Sequence, residues 1–128
     1  MQNILIVEDD AFLRKMCMKH LKGPGRTVRT ARDGGEAMLE IEKEQPDLLL
    51  LDILMPRVDG FTVLDFIKEK QYTFPVIILS NITWNFNGKS CKEIGATDYF
   101  IKSNIDIPAL VKKIEEYLPQ EKAAAAVR

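Results

Sequence analysis

The sequence predicts an α/β fold: an open parallel sheet of five strands with helices on both faces. Three observations carry that prediction. Leu48, Leu49, Leu50 and Leu51 form an unbroken apolar run ending in Asp52, which suits a central strand covered on both sides rather than a half-exposed one. Residues 3–7 (NILIV) and 75–80 (PVIILS) are similar short, apolar, β-branched runs. Between the runs, apolar residues recur at helical spacing, so strands alternate with helices.

Each element has its own local justification. The first strand, 3–7, ends in Glu8-Asp9-Asp10. Leu13, Met16, Cys17, His20 and Leu21 then fall at helical spacing, with Asp9 or Asp10 as N-cap and Gly23-Pro24-Gly25 as the stop. His20, the only histidine, is placed on or beside that helix's packed face. Residues 26–31 alternate weakly around Thr27, Val28 and Thr30, the pattern of an edge strand. A second helix over 34–44 turns Ala37, Met38 and Ile41 inward and closes before Pro46.

After the leucine strand, Pro56 and Asp59-Gly60 force a loop. A third helix over 61–70 sets Phe61, Leu64 and Ile67 on one face. Pro75 opens the fourth strand, a place where proline is tolerated. The Asn-, Thr- and Gly-rich NITWNFNGKS that follows Ser80 makes a poor helix. It predicts a long loop and a short helix near 89–94, ended by Gly95. Residues 98–101 form the fifth strand, with Lys102 directly after it. Pro108 in a first turn, with Ile107, Leu110, Val111, Ile114 and Leu118 correctly spaced, marks the last helix.

Five strands alternating with helices through right-handed crossovers fit the doubly wound strand order 2-1-3-4-5. In that order strands one and three are neighbours. Glu8, Asp9 and Asp52 therefore converge at the carboxyl edge of the sheet, the usual ligand-binding edge of such folds.

Composition bounds the possibilities. At 128 residues and 46% hydrophobic, the chain suits one compact domain over 1–119, followed by an Ala-rich tail over 120–128. Eighteen basic against 19 acidic residues give a net charge of −1 with no basic stripe, which argues against direct nucleic-acid binding. No stretch approaches the roughly 20 apolar residues needed to cross a bilayer, and the start does not resemble a signal peptide. The protein is expected to be soluble and cytoplasmic. Cys17 and Cys91 lack metal-ligand spacing and read as free thiols.

Three crowded carboxylates repel, and each raises the others' pKa unless a cation joins them. A hard divalent ion such as Mg²⁺ is the natural partner, since it keeps waters and accepts phosphate oxygens. A carboxylate can also attack phosphorus to give an acyl phosphate, and that transfer needs positive charge around the phosphoryl oxygens. Ser80 offers a hydroxyl donor and Lys102 a compact cation on a flexible stem. Taken singly, each has a duller role: Asp9 as a helix cap, Ser80 as a turn residue, Lys102 as a solvated charge. Their meeting at the ends of strands one, three, four and five is what makes a site.

The motifs VEDD (7–10), LLDILMPRVDG (50–60), ILSN (78–81) and GATDYFIK (95–102) resemble the receiver domains of two-component response regulators. The resemblance runs from about residue 4 to 118 and implies the flavodoxin-like, receiver-type fold. It also implies roles. Asp52 would accept phosphate from a histidine kinase or phosphotransfer protein. Asp9 and Asp52 would bind Mg²⁺ directly, Glu8 mostly through water, and Leu54 through its backbone carbonyl. Ser80 and the Asn81 N–H would hold phosphoryl oxygens, with Lys102 pairing to another. Tyr99 matches the switch aromatic that turns inward as the hydroxyl residue moves toward phosphate. The output face would comprise the fourth helix, fifth strand and fifth helix, where an effector protein or domain docks.

Departures from the family pattern are informative. Ser103 stands where the family carries Pro in a cis peptide. A non-Pro cis bond costs about 2.5–4 kcal/mol, so a trans bond or a strained loop is expected. Asn81 is larger than the small residue the family favours there. Leu54 and Ile82 occupy two positions that tune dephosphorylation, and neither can orient a water, which implies slow self-dephosphorylation. Trp84 and Phe86 read either as a partner-facing patch or as residues tucked under their own loop.

The expected function is thus a phosphoacceptor switch, free-standing or part of a longer regulator, and not a turnover enzyme. The alternative is a receiver-like interaction module that signals without phosphate. An aspartyl-nucleophile phosphatase needs a second Asp two residues after the nucleophile, and Leu54 stands there.

Overall fold

The computed structural model describes residues 1–55, 57–81, 90 and 92–119, Asn104 by its backbone alone. Ile82, Trp84, Phe86, Cys91 and the tail lie outside this set; of the short helix expected near 89–94, residues 90 and 92–94 are described, and 92–94 form turns rather than a helix. The described elements are β1 (Gln2–Val7), α1 (Ala11–Leu21), β2 (Arg26–Ala31), α2 (Gly34–Lys43), β3 (Leu48–Asp52), α3 (Gly60–Glu69), β4 (Val76–Ser80), β5 (Asp98–Ile101), a single 3-10 turn (Lys102–Asn104) and α4 (Ile107–Tyr117).

All four strand pairings are parallel, in the order β2-β1-β3-β4-β5. β1 and β3 are indeed adjacent, with Ile4 opposite Leu48 and Val7 opposite Leu51. Strand alternation splits the apolar residues into two cores, one per sheet face. Leu5, Val7, Leu49, Leu51 and Ile78 face α2 and α3, meeting Ala37, Ile41, Val63 and Ile67. Ile4, Ile6, Leu48, Leu50, Ile77 and Leu79 face α1 and α4, meeting Leu13, Cys17, Leu21, Leu110 and Ile114. The leucine run is continuous because both of its faces are covered. Each such side chain contributes roughly 1.5–3 kcal/mol on burial.

An aspartate caps the start of each of the four described α-helices: Asp10, Asp33, Asp59 and Asp106. For α1, Asp10 Oδ1 accepts from the Phe12 and Leu13 N–H groups at 2.9 and 3.3 Å. The choice between Asp9 and Asp10 therefore falls on Asp10, which leaves Asp9 available to the sheet edge.

The placement of His20 needs correction. His20 is exposed, its Nδ1 2.9 Å from the Met16 carbonyl oxygen. The buried stripe of α1 runs through Leu13, Cys17 and Leu21 with Met18 packed beside it, so Met16 and His20 lie on the opposite flank. On α3, Phe61, Leu64 and Ile67 meet one core as expected, and Val63, fully buried, joins them.

Before β5, residues 92–95 form turns, and Gly95 ends them at φ +93°. Only glycine adopts that conformation freely. The Lys102–Ser103 bond is trans, since no described peptide bond is cis, and Lys102 opens the 3-10 turn directly. No helix among the described residues is long and apolar enough to cross a membrane.

Candidate functional site

The strand register sets the site. Val7 pairs with Leu51 and Asp52 with Leu79, so Glu8, Asp52 and Ser80 emerge at one carboxyl edge. Ser80 pairs with Ile101, which brings Lys102 to the same edge. Glu8, Asp52 and Ser80 are all buried, Glu8 completely so. The packing is close. A Cβ on Gly60 would lie 2.6 Å from the Asp52 carbonyl oxygen and 2.7 Å from Ile53 Cα, so only glycine lets α3 start there.

Lys102 closes the constellation. Its Nζ donates to Glu8 Oε2 at 2.9 Å and to Asp52 Oδ2 at 3.0 Å, and lies 4.0 Å from Asp9 Oδ1. Glu8 Oε2 also accepts the Asp10 N–H at 3.0 Å. Arg14 Nη1 donates to the Glu8 carbonyl oxygen at 2.8 Å. Sequence reading passed over Arg14, whose signal is a basic residue in the first turn after an acidic run.

Electrostatics follow from the burial of like charges. Desolvation, with Glu8 and Asp9 nearby, pushes Asp52 up to about 7 despite the Lys102 hydrogen bond. Desolvation likewise raises Glu8, although the Asp10 N–H and Lys102 oppose it. Partial burial would raise Asp9 as well, but hydrogen bonds from Asp52 and Glu8 and the Lys102 charge outweigh it, leaving Asp9 below its ordinary value. Burial works against the Lys102 ammonium too. Its bonds to Glu8 and Asp52 prevail and hold it charged.

Among the described residues, one buried side-chain oxygen or nitrogen is left over. Glu8 Oε1 has no hydrogen-bond partner, a costly state for a buried carboxylate oxygen. One carboxylate oxygen each from Glu8, Asp9 and Asp52 lie within 4.8 Å of one another. All-oxygen donors at that separation, with a buried Glu8 oxygen left unpartnered, fit a small hard divalent cation. The remaining candidates sit around this centre in different ways. Leu54, two residues after Asp52, is 59% exposed. Asn81 is exposed, and Tyr99 is half-buried against the α2–α3 core.

The model of the response regulator receiver domain matches residues 4–115. This chain belongs to that family. The receiver domain is 34% identical over 115 residues to the alkaline phosphatase synthesis transcriptional regulatory protein PhoP of Bacillus subtilis, covering 88% of this chain and 48% of that protein. It is 39% identical over 132 residues to a protein-glutamate methylesterase/protein-glutamine glutaminase of Oleidesulfovibrio alaskensis, covering all of this chain and 35% of that one. The receiver domain thus spans half or less of these relatives. Among solved structures it resembles the Vibrio cholerae chemotaxis protein CheY4 (TM-score 0.81, 29% identity, 92% of this chain and 99% of that one). It also resembles the Thermotoga maritima response regulator TrrA in complex with Mg²⁺-BeF (TM-score 0.79, 27% identity, 92% and 100%). These likenesses establish the flavodoxin-like receiver fold and a place in two-component signalling.

Proposed function

We propose that this receiver domain is a Mg²⁺-dependent phosphoacceptor whose nucleophile is Asp52. The observation that carries the reading is Lys102 Nζ within 3.0 Å of both Glu8 and Asp52, beside a buried Glu8 oxygen with no partner. An Asp52 carboxylate oxygen attacks phosphorus. The bond from phosphorus to the donor, a phosphohistidine nitrogen or an acyl oxygen, breaks with its electron pair going to the donor. An acyl phosphate on Asp52 results.

Asp9, Asp52 and the Leu54 carbonyl would hold Mg²⁺ directly and Glu8 mostly through water, and the ion would supply positive charge to the phosphoryl oxygens. Lys102 exchanges its carboxylate partners for one phosphoryl oxygen, while the Ser80 hydroxyl and the Asn81 N–H donate to the others. The TrrA neighbour supports this reading, since beryllofluoride stands in for a phosphoryl group and its complex carries Mg²⁺.

The new phosphoryl group adds about −1.5 to −2 charge at the end of β3 and draws Ser80, at the end of neighbouring β4, toward it. Tyr99 on β5 then turns inward, which alters the face running through β5 and the last helix for an effector protein or domain. The donor is a histidine kinase or phosphotransfer protein. The domain is modified and reset rather than turning over a substrate, so it is not classed as an enzyme. The test is intact mass after incubation with Mg²⁺ and acetyl phosphate. A Mg²⁺-dependent gain of one phosphoryl group is expected. No gain, with Mg²⁺ binding shown separately, would favour a module that signals without phosphate.

A further inference from the structure

Arg57 adopts φ +65°, a left-handed conformation uncommon for a residue with a side chain. Such a backbone persists only where its surroundings hold it. The Arg57 side chain is 73% exposed, yet its Nη2 donates to Asp33 Oδ2 at 2.7 Å across 24 residues of sequence. Asp33 cannot swing away, because its Oδ1 also accepts the Glu36 N–H at 2.9 Å as the α2 cap.

Beside this pair the two backbones touch. The Gly34 N–H donates to the Val58 carbonyl oxygen at 3.1 Å, and a Cβ on Gly34 would lie 2.6 Å from that oxygen. At the far side of the loop, the Gly60 N–H donates to the Ile53 carbonyl oxygen at 2.8 Å. Leu54 lies in the stretch pinned between these contacts. The β2–α2 turn shares the sheet edge with the acidic site, since the Glu8 N–H donates to the Ala31 carbonyl oxygen at 3.1 Å.

We propose that the Asp33–Arg57 ion pair is a positioning clasp that sets the cation affinity of the acidic site by fixing the β3–α3 loop against the β2–α2 turn. Neither residue touches the cation; both act through the loop that carries Leu54. This inference rests on the cation reading given above.

The test is calorimetric titration of the full chain with MgCl₂, comparing wild type, Asp33→Asn, Arg57→Ala and the double variant. Asparagine keeps the oxygen that caps α2, so Asp33→Asn removes chiefly the charge. Each single variant should weaken Mg²⁺ binding about tenfold, the lower end for residues that orient metal ligands from behind. The double variant should bind no worse than the weaker single, since the same interaction is lost once. Arg57→Gly, which removes the guanidinium but also relieves the backbone, should be weakened as well. Thermal unfolding without metal, run in parallel, separates a merely structural role, which would lower Tm and leave the Mg²⁺ Kd unchanged. Wild-type affinity in all the variants would overturn the clasp while leaving the cation site standing. No binding by the wild type would overturn the cation reading and the clasp with it.

Discussion

Lys102 Nζ lies 3.0 Å from Asp52 Oδ2 although their strands are not neighbours: β4 stands between β5 and β3. The long lysine stem reaches past the end of β4, which Ser80 terminates. One flexible cation thereby ties three strand ends together and bonds Glu8 on the far side of Asp52. A lysine does this where a shorter side chain cannot, and its single ammonium can change partners when a phosphoryl group arrives.

Lys102→Met keeps the stem and removes that charge. It leaves Glu8 and Asp52 buried without a counter-ion, and losing one partner of a buried ion pair costs about 3–5 kcal/mol. Metal-free Lys102→Met should therefore unfold at markedly lower denaturant at pH 8. Phosphoryl uptake from acetyl phosphate should slow by about a hundredfold, as expected for loss of one group stabilising transition-state charge. Wild-type rates by time-resolved intact mass would contradict the assigned role.

Asp52 sets a pH dependence in the metal-free protein. Burial raises its pKa from 3.8 to about 7, so the folded state holds this proton more tightly than the unfolded chain does. The group's contribution to stability is then complete at low pH and falls as pH rises from about 4 to about 7. Asp52→Asn removes the penalty. In EDTA it should be more stable than wild type by on the order of 2 kcal/mol at pH 8, with the gap closing toward pH 4. A gap that does not change across this range, measured by denaturant unfolding, would contradict the raised pKa.

Gly60→Ala tests the fit of α3 against the strand end. The added carbon would meet backbone atoms of Asp52 and Ile53 at 2.6 and 2.7 Å, and backbone gives way less readily than a side chain. A loss of about 1–3 kcal/mol is expected on thermal or chemical unfolding, as for other overpacked sites. Phosphorylation should slow as well, since the displaced backbone is that of the acceptor. An unchanged Tm would show that the helix start has slack.

The phosphorylated form should be long-lived. Leu54, two residues after Asp52 and 59% exposed, has an apolar side chain with no polar atom to orient an attacking water. The acyl phosphate in the purified protein should persist for minutes or longer, and Leu54→Gln should shorten it. Loss within seconds would contradict this role for Leu54.

The sheet and the acidic edge were legible because they are written in contiguous residues. The four leucines ending in Asp52, and the runs before Glu8 and Ser80, place those side chains at strand ends without any tertiary knowledge. Asp9 could be separated from the capping role only once the structure showed Asp10 bonded to the α1 N–H groups. His20 was misplaced because helical spacing defines a stripe but not its centre, and the centre of α1 lies toward Met18. The Asp33–Arg57 pair had no local signal. Its partners are 24 residues apart, and the left-handed Arg57 follows from that tertiary contact rather than from any glycine in the sequence.

The most direct test of the central claim is where the phosphoryl group lands. After incubation with Mg²⁺ and acetyl phosphate, borohydride reduction converts an aspartyl phosphate to homoserine, which peptide mass mapping locates. Homoserine at position 52, absent without Mg²⁺ and absent from Asp52→Asn, is the expected result. Homoserine at another acidic residue, or equal labelling of Asp52→Asn, would contradict it.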